Sequence, residues 1–264
     1  MRNNKSSYRF VLMLVLVFAL AAFPASVNAN HSWGGYHWAR TSNPFTIKLG
    51  DNVSGSWDAM LITASSDWSQ STVMDTTVVA GGAKPRNCRP TSGRVEVCNA
   101  SYGNTGWLGV AQIWITGGTH ITQGTVKNND YYFGSSSYQY NNTAEMQHVI
   151  CQEIGHTFGL DHQDESGISL NTCMDYYHNT SASDTKSTHP NSHDYQELQT
   201  IYSHLDSSTT IGSMPAEMKN GDFSSPNAWG KLVSSSAKGH ESVYERDFGQ
   251  GFKVVTLVIW VEAK

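Results

Sequence analysis

Basic charge is scarce in this chain of 264 residues: 17 Lys and Arg stand against 22 Asp and Glu, the formal net charge is −5, and charged residues make up only 15%. That balance produces no field that draws phosphate, so nucleic acid is excluded as a partner. Apolar runs long enough to cross a bilayer are missing too, since even Val254 to Val261 is only strand-sized. Proline is sparse, at 7, and the 23 glycines are too scattered for collagen-like or low-complexity sequence. There is no internal repeat and no Cys-x2-Cys spacing, which argues against metal ligation by thiolates. What is present, 39% hydrophobic residues with 8 Trp, is too apolar for disorder and suffices for one large domain or one domain with a modest appendage.

The N-terminus sets the compartment. Arg2, Lys5 and Arg9 precede an apolar run from Phe10 to Ala22, and small residues follow at Ala25 and Val27-Asn28-Ala29. This order reads as a secretory signal peptide over residues 1–29, because the run is about 13 residues where a membrane span needs about 20. Cleavage moves the net charge from −5 to −8 and leaves an exported, secreted chain with no membrane association. Four cysteines suit that oxidising space, and three pairings can be drawn. Cys88 with Cys98 is favoured, as it closes a short loop containing Pro and Gly, and it leaves Cys151 with Cys173.

Periodicity outlines the rest. Phe45 to Leu49 alternates like a half-buried strand, and Trp57, Met60, Leu61, Ala64 and Trp68 recur at helical spacing. Short strands are expected at Thr76 to Val79 and Arg94 to Cys98. A stronger one spans Leu108 to Ile115, and Thr119 to Val126 can pair with it across Gly117-Gly118. A helix starts at Thr143 and stops near Gly159, and Asn179 to Asn191 reads as a surface loop. Asn191 or Ser192 caps a last helix whose buried stripe is Tyr195, Leu198, Ile201, Tyr202 and Leu205. Residues 207 to 240 are polar and Ser-rich, like a linker. Ser242 to Phe248 and Phe252 to Val261 resemble a β-hairpin, so residues 207–264 read as a linker and C-terminal extension.

Chemistry concentrates between His148 and His162. On a helix, Gln152 and His156 lie one above the other on one face with Glu153 beside them, and a left-handed Gly159 can turn the chain so that His162 approaches the same point. Nitrogen ligands beside a carboxylate are the parts of a hydrolytic zinc centre.

This segment resembles the metzincin metalloproteases, whose motif is H-E-x-x-H-x-x-G-x-x-H followed by a Met-turn. Glu153, His156, Gly159 and His162 match it, and Met174, in Cys173-Met174-Asp175-Tyr176, stands where the Met-turn methionine is expected. The chain is similar to matrixin-like secreted members over roughly residues 32–205, with no subfamily singled out. The resemblance implies an α+β fold over residues 30–206: a twisted mixed β-sheet with an active-site helix, a Met-turn and a C-terminal helix. It also implies zinc as cofactor, held by Gln152, His156 and His162, with Glu153 as general base in the hydrolysis of a protein or peptide substrate. No residue pattern supports calcium, and the oligomeric state stays open.

Gln152 is the departure, standing where the motif has its first histidine. A carboxamide oxygen is a poorer zinc donor than imidazole. His148 cannot replace it, because eight helical residues put it about 12 Å from His156, whereas Tyr176, two positions past Met174, has the spacing of an additional ligand in some branches. Asp161 and Asp164 read first as solvated loop acids, and otherwise as acceptors for ligand N–H groups. The alternative function is a catalytically inactive relative that keeps the fold as a peptide- or protein-binding module.

Overall fold

Strands and helices form where side-chain periodicity lets one face be buried, and here the strands join in one mixed sheet. The computed structural model describes residues 31–264 apart from Glu165, residues 210–213, Ala237 and residues 263–264. The expected signal peptide lies outside the described residues. The strands are β1 (His37–Trp38), β2 (Phe45–Asn52), β3 (Met74–Ala80), β4 (Val95–Ala100), β5 (Trp107–Thr116), β6 (His120–Asn129), β7 (Lys231–Ser235), β8 (Glu241–Asp247) and β9 (Lys253–Trp260). Their order is β3-β2-β4-β6-β5-β9-β8-β7, with β1 paired to β6. Pairing is parallel from β3 through β6 and antiparallel from β6 to β7.

Helices α1 (Ser56–Trp68), α2 (Asp130–Phe133), α3 (Thr143–His156), α4 (Ser192–Ile201) and α5 (Ala216–Asn220) complete the α+β fold. The expected stripe of α1, Trp57, Met60, Leu61, Ala64 and Trp68, is buried. The β5–β6 hairpin turns through the three-residue loop Gly117-Gly118-Thr119, whose two glycines stand at positive φ (60° and 89°), a conformation side chains resist. Asn191 caps α4 in a capping box with Asp194, and that helix ends at Ile201, short of the Leu205 its apolar stripe suggested.

Residues 207–240 differ from the expected linker. They carry α5, a turn of 3-10 helix at Pro226–Ala228 and β7. Met218, Phe223 and Trp229, solitary in the sequence, are buried on the reverse side of β5 and β9, where Trp229 meets Trp107, Val110 and Val258 while Met218 and Phe223 meet Trp114 and Val254. Each such side chain contributes about 1.5–3 kcal/mol on burial. Gln112 adds a lock, its Nε2 donating to the Phe223 carbonyl (3.0 Å) and to Thr256 Oγ1 (2.9 Å). The C-terminal hairpin thus continues the main sheet, with β9 covering the edge of β5 from Trp107↔Trp260 to Ile115↔Lys253. Both disulfides form as expected, Cys88–Cys98 and Cys151–Cys173. Among the described residues no helix is long and apolar enough to cross a membrane.

Candidate metal centre

Helix α3 positions the first candidate ligands. Asn142 caps it, accepting the Glu145 amide at 2.9 Å. Gln152 and His156 then lie one turn apart on one face, 0% and 1% exposed. The helix stops because Gly159 has φ +96° and a Cβ there would come within 2.0 Å of the Tyr36 carbonyl oxygen, so only glycine fits. The turned chain brings His162 back, its ring centroid 4.5 Å from that of His156.

Orienting bonds settle which atoms face inward. His156 Nδ1 lies 2.9 Å from the Leu160 carbonyl oxygen, so its proton sits there and Nε2, with no hydrogen-bond partner among the described residues, keeps its lone pair. His162 Nδ1 is held by Tyr176 Oη at 3.0 Å and Asp161 Oδ1 at 3.1 Å. Gln152 Nε2 donates to the Asp175 carbonyl at 3.1 Å, and its Oε1, also buried, has no hydrogen-bond partner among the described residues. Glu153 is 0% exposed, and apart from the Ala111 backbone its oxygens find no hydrogen-bond partner among the described residues. It fits because β5 has Gly109 opposite, where a Cβ would stand 2.5 Å from Glu153 Oε1.

One further ligand was not foreseen. Glu241, the first residue of β8 and 3% exposed, brings Oε2 into direct contact with His162 Nε2. Ligand atoms of His156, His162 and Glu241 all lie within 4.8 Å of one another. Nothing in the sequence marks Glu241: it sits at the end of a Ser-rich stretch with no spacing to the motif, and only strand pairing delivers it.

The charges are out of balance. Burial, aided by His162, lowers His156 to about 3. Burial would lower His162 as well, but Glu241 and Asp161 raise it to about 10. Burial and the neighbouring Glu241 push Glu153 well above the carboxylate range, and burial raises Glu241. Buried carboxylates packed together with unpartnered nitrogen and amide lone pairs are costly alone and fit a divalent cation, since two imidazoles with oxygen donors are a zinc-type set.

The surroundings brace this set. Met174 lies under α3, and a Cβ on Gly155 would meet its Sδ at 2.6 Å and Trp68 Cζ2 at 2.7 Å. The Cys151–Cys173 bridge ties α3 to the Met174 segment. Tyr176 holds one nitrogen of His162, the role of an orienting partner. The two loop acids separate: Asp161 accepts from His162, whereas Asp164 caps a turn through Ser166 and Ile168. His148 takes no part, standing between Glu145 Oε2 (3.4 Å) and the Asp175 carbonyl (3.2 Å). A cleft of about 700 Å³, lined by Tyr132, Tyr138, Tyr140 and Glu262 among others, contains none of the centre's residues.

No family model and no curated protein matches the sequence. Among solved structures, the crystal structure of myroilysin aligns with 68% of this chain and 97% of that chain, at 10% sequence identity and a TM-score of 0.33. At that level of likeness, what the centre can do rests on its own geometry.

Proposed function

We propose that the chain is a secreted, metzincin-like, zinc-dependent endopeptidase acting on protein or peptide substrates, with zinc held by Gln152, His156 and His162 and with Glu153 as general base. The observation that carries this reading is the convergence of His156 and His162, with Gln152 one helical turn before His156, its buried Oε1 without a hydrogen-bond partner among the described residues, and the buried Glu153 within the field of His162. What zinc supplies when bound is Lewis acidity toward water and toward a scissile carbonyl. Glu153 then accepts a proton from water and returns it to the leaving amine. Asp161 and Tyr176 keep His162 in register, and the amide of Gln152 makes the grip weaker than a third imidazole would.

Glu241 favours a second reading, a catalytically silent binding module. Its carboxylate stands among the ligands, and β9 fills the β5 edge along which an extended peptide would add as a strand. In the peptidase reading Glu241 and the hairpin must yield before substrate enters.

Zinc content and casein hydrolysis of the mature full chain, compared for the wild type, Glu153→Gln, Glu241→Ala and Gln152→His, separate the two. The peptidase reading expects bound zinc in all four, faster hydrolysis in Glu241→Ala and Gln152→His, and loss of about 10²-fold or more in Glu153→Gln with zinc retained. A zinc-loaded Glu241→Ala chain that cleaves nothing supports the silent module. No zinc uptake by any variant sinks the peptidase reading.

A further inference from the structure

Apart from the His156 centre, three histidines crowd one carboxylate oxygen. His37 in β1, His120 at the start of β6 and His204 just past α4 place Nε2 at 3.5, 3.3 and 3.7 Å from Asp206 Oδ1, and His204 Nε2 is 3.2 Å from His37 Nε2. We propose that His37, His204 and Asp206, with His120 set against the same carboxylate oxygen, form a second metal site that takes a divalent cation of the zinc class. Ligands arranged tetrahedrally at zinc bond lengths of about 2.0–2.1 Å stand about 3.3 Å apart, and the observed separations bracket that edge.

The partners around these donors are those a ligand set needs. His37 Nδ1 lies 2.8 Å from the Gly35 carbonyl oxygen, which takes its proton and leaves the Nε2 lone pair for an ion. Arg40 donates from its backbone amide (3.2 Å) and Nη1 (3.0 Å) to Asp206 Oδ2, so Oδ1 alone faces the histidines. Arg40 is itself fixed by Asn43 Oδ1 at 3.2 Å, by the His204 carbonyl and by the Tyr202 ring beneath it. Its charge opposes a cation and sets the affinity below that of the same donors without it. A plain hydrogen-bonded network would need one histidine on Asp206 Oδ1, and three gathered there is more than pairing requires. Exposure is graded: the His37 and Asp206 side chains are 6% and 11% exposed at the base, and those of His120 and His204, at 29% and 51%, open to solvent, which gives an ion its way in.

Three protein ligands hold the ion, and the solvent-facing side beside His204 completes its sphere. It would clamp two segments far apart in sequence, the strand at His37 and the chain leaving α4 for the C-terminal extension.

The test is the zinc stoichiometry of the full chain, stripped by chelator and reloaded, read by elemental analysis alongside the melting temperature. We expect about two ions per wild-type chain and about one in each of His204→Ala, Asp206→Asn and His156→Ala, with zinc raising the melting temperature of all but a His204→Ala/His156→Ala double variant. Cobalt loading should show a visible band that His204→Ala abolishes and His156→Ala retains in part. If the His156 centre takes no metal, the wild type holds about one ion, and its loss in His204→Ala but not in His156→Ala still supports this site while removing the peptidase proposal. Stoichiometry unchanged by both His204→Ala and Asp206→Asn overturns it. His204 is half exposed and its removal leaves the Arg40–Asp206 pair intact, so if Asp206→Asn does not fold His204→Ala reads the same loss.

Discussion

At Gly109 a hydrogen in place of a side chain is what lets Glu153 lie against β5. Gly109→Ala should therefore displace the carboxylate or the strand, costing about 1–3 kcal/mol in denaturant unfolding, as overpacking of a tight site does. Tyr176 acts through His162. Tyr176→Phe removes the hydroxyl 3.0 Å from Nδ1 and leaves the ring in place, so zinc affinity should fall about 10- to 100-fold in a competition titration, with the melting temperature of the metal-free chain nearly unchanged. A larger loss of metal-free stability would make Tyr176 a packing residue.

At the scale of the helix, α3 is anchored near its first turn by a buried charge cluster separate from the centre. Glu145 Oε1 lies 2.5 Å from His178 Nδ1, and its Oε2 accepts the Asn179 amide at 2.7 Å and faces His148. Burial would raise Glu145, but His178 and His148 hold it well below the carboxylate range; burial would lower His178, but Glu145 raises it. A depressed carboxyl contributes stability above its ordinary 4.5 that is lost as pH falls through the folded value. A raised imidazole contributes fully below 6.5 and loses it as pH rises through its folded value. The stability gap between wild type and Glu145→Gln should thus be widest at pH 4.5–6.5, about 3 kcal/mol, and narrow on either side. Equal gaps at all pH values would mean the cluster is held by hydrogen bonds alone. The start of α4 is simpler: Asn191→Ala removes acceptors for the His193 and Asp194 amides and should cost about 1 kcal/mol in thermal unfolding.

For the whole molecule, the C-terminal hairpin shares the main core, since Val243, Val255, Leu257 and Ile259 pack in the same cluster as α3 and β5. Leu257→Ala should cost about 2–5 kcal/mol and lower a single calorimetric transition of the whole chain. A separate low-temperature transition for the tail would contradict shared packing. Much of the fold was legible beforehand. The stripe of α1, the β5–β6 turn and the terminal hairpin follow rules of local spacing, and such rules need only neighbouring residues. The layer made by Met218, Phe223 and Trp229 was not legible, because three lone apolar residues at irregular intervals carry no periodicity. By itself the sequence determined that Gln152 and His156 share a helix face and that Gly159 turns His162 toward them, as helix pitch and glycine geometry are local properties. Only the tertiary structure decided that Glu241 closes that centre and that His37, His120, His204 and Asp206 meet, because those encounters depend on strand order and register, which bring together segments that no interval along the chain connects.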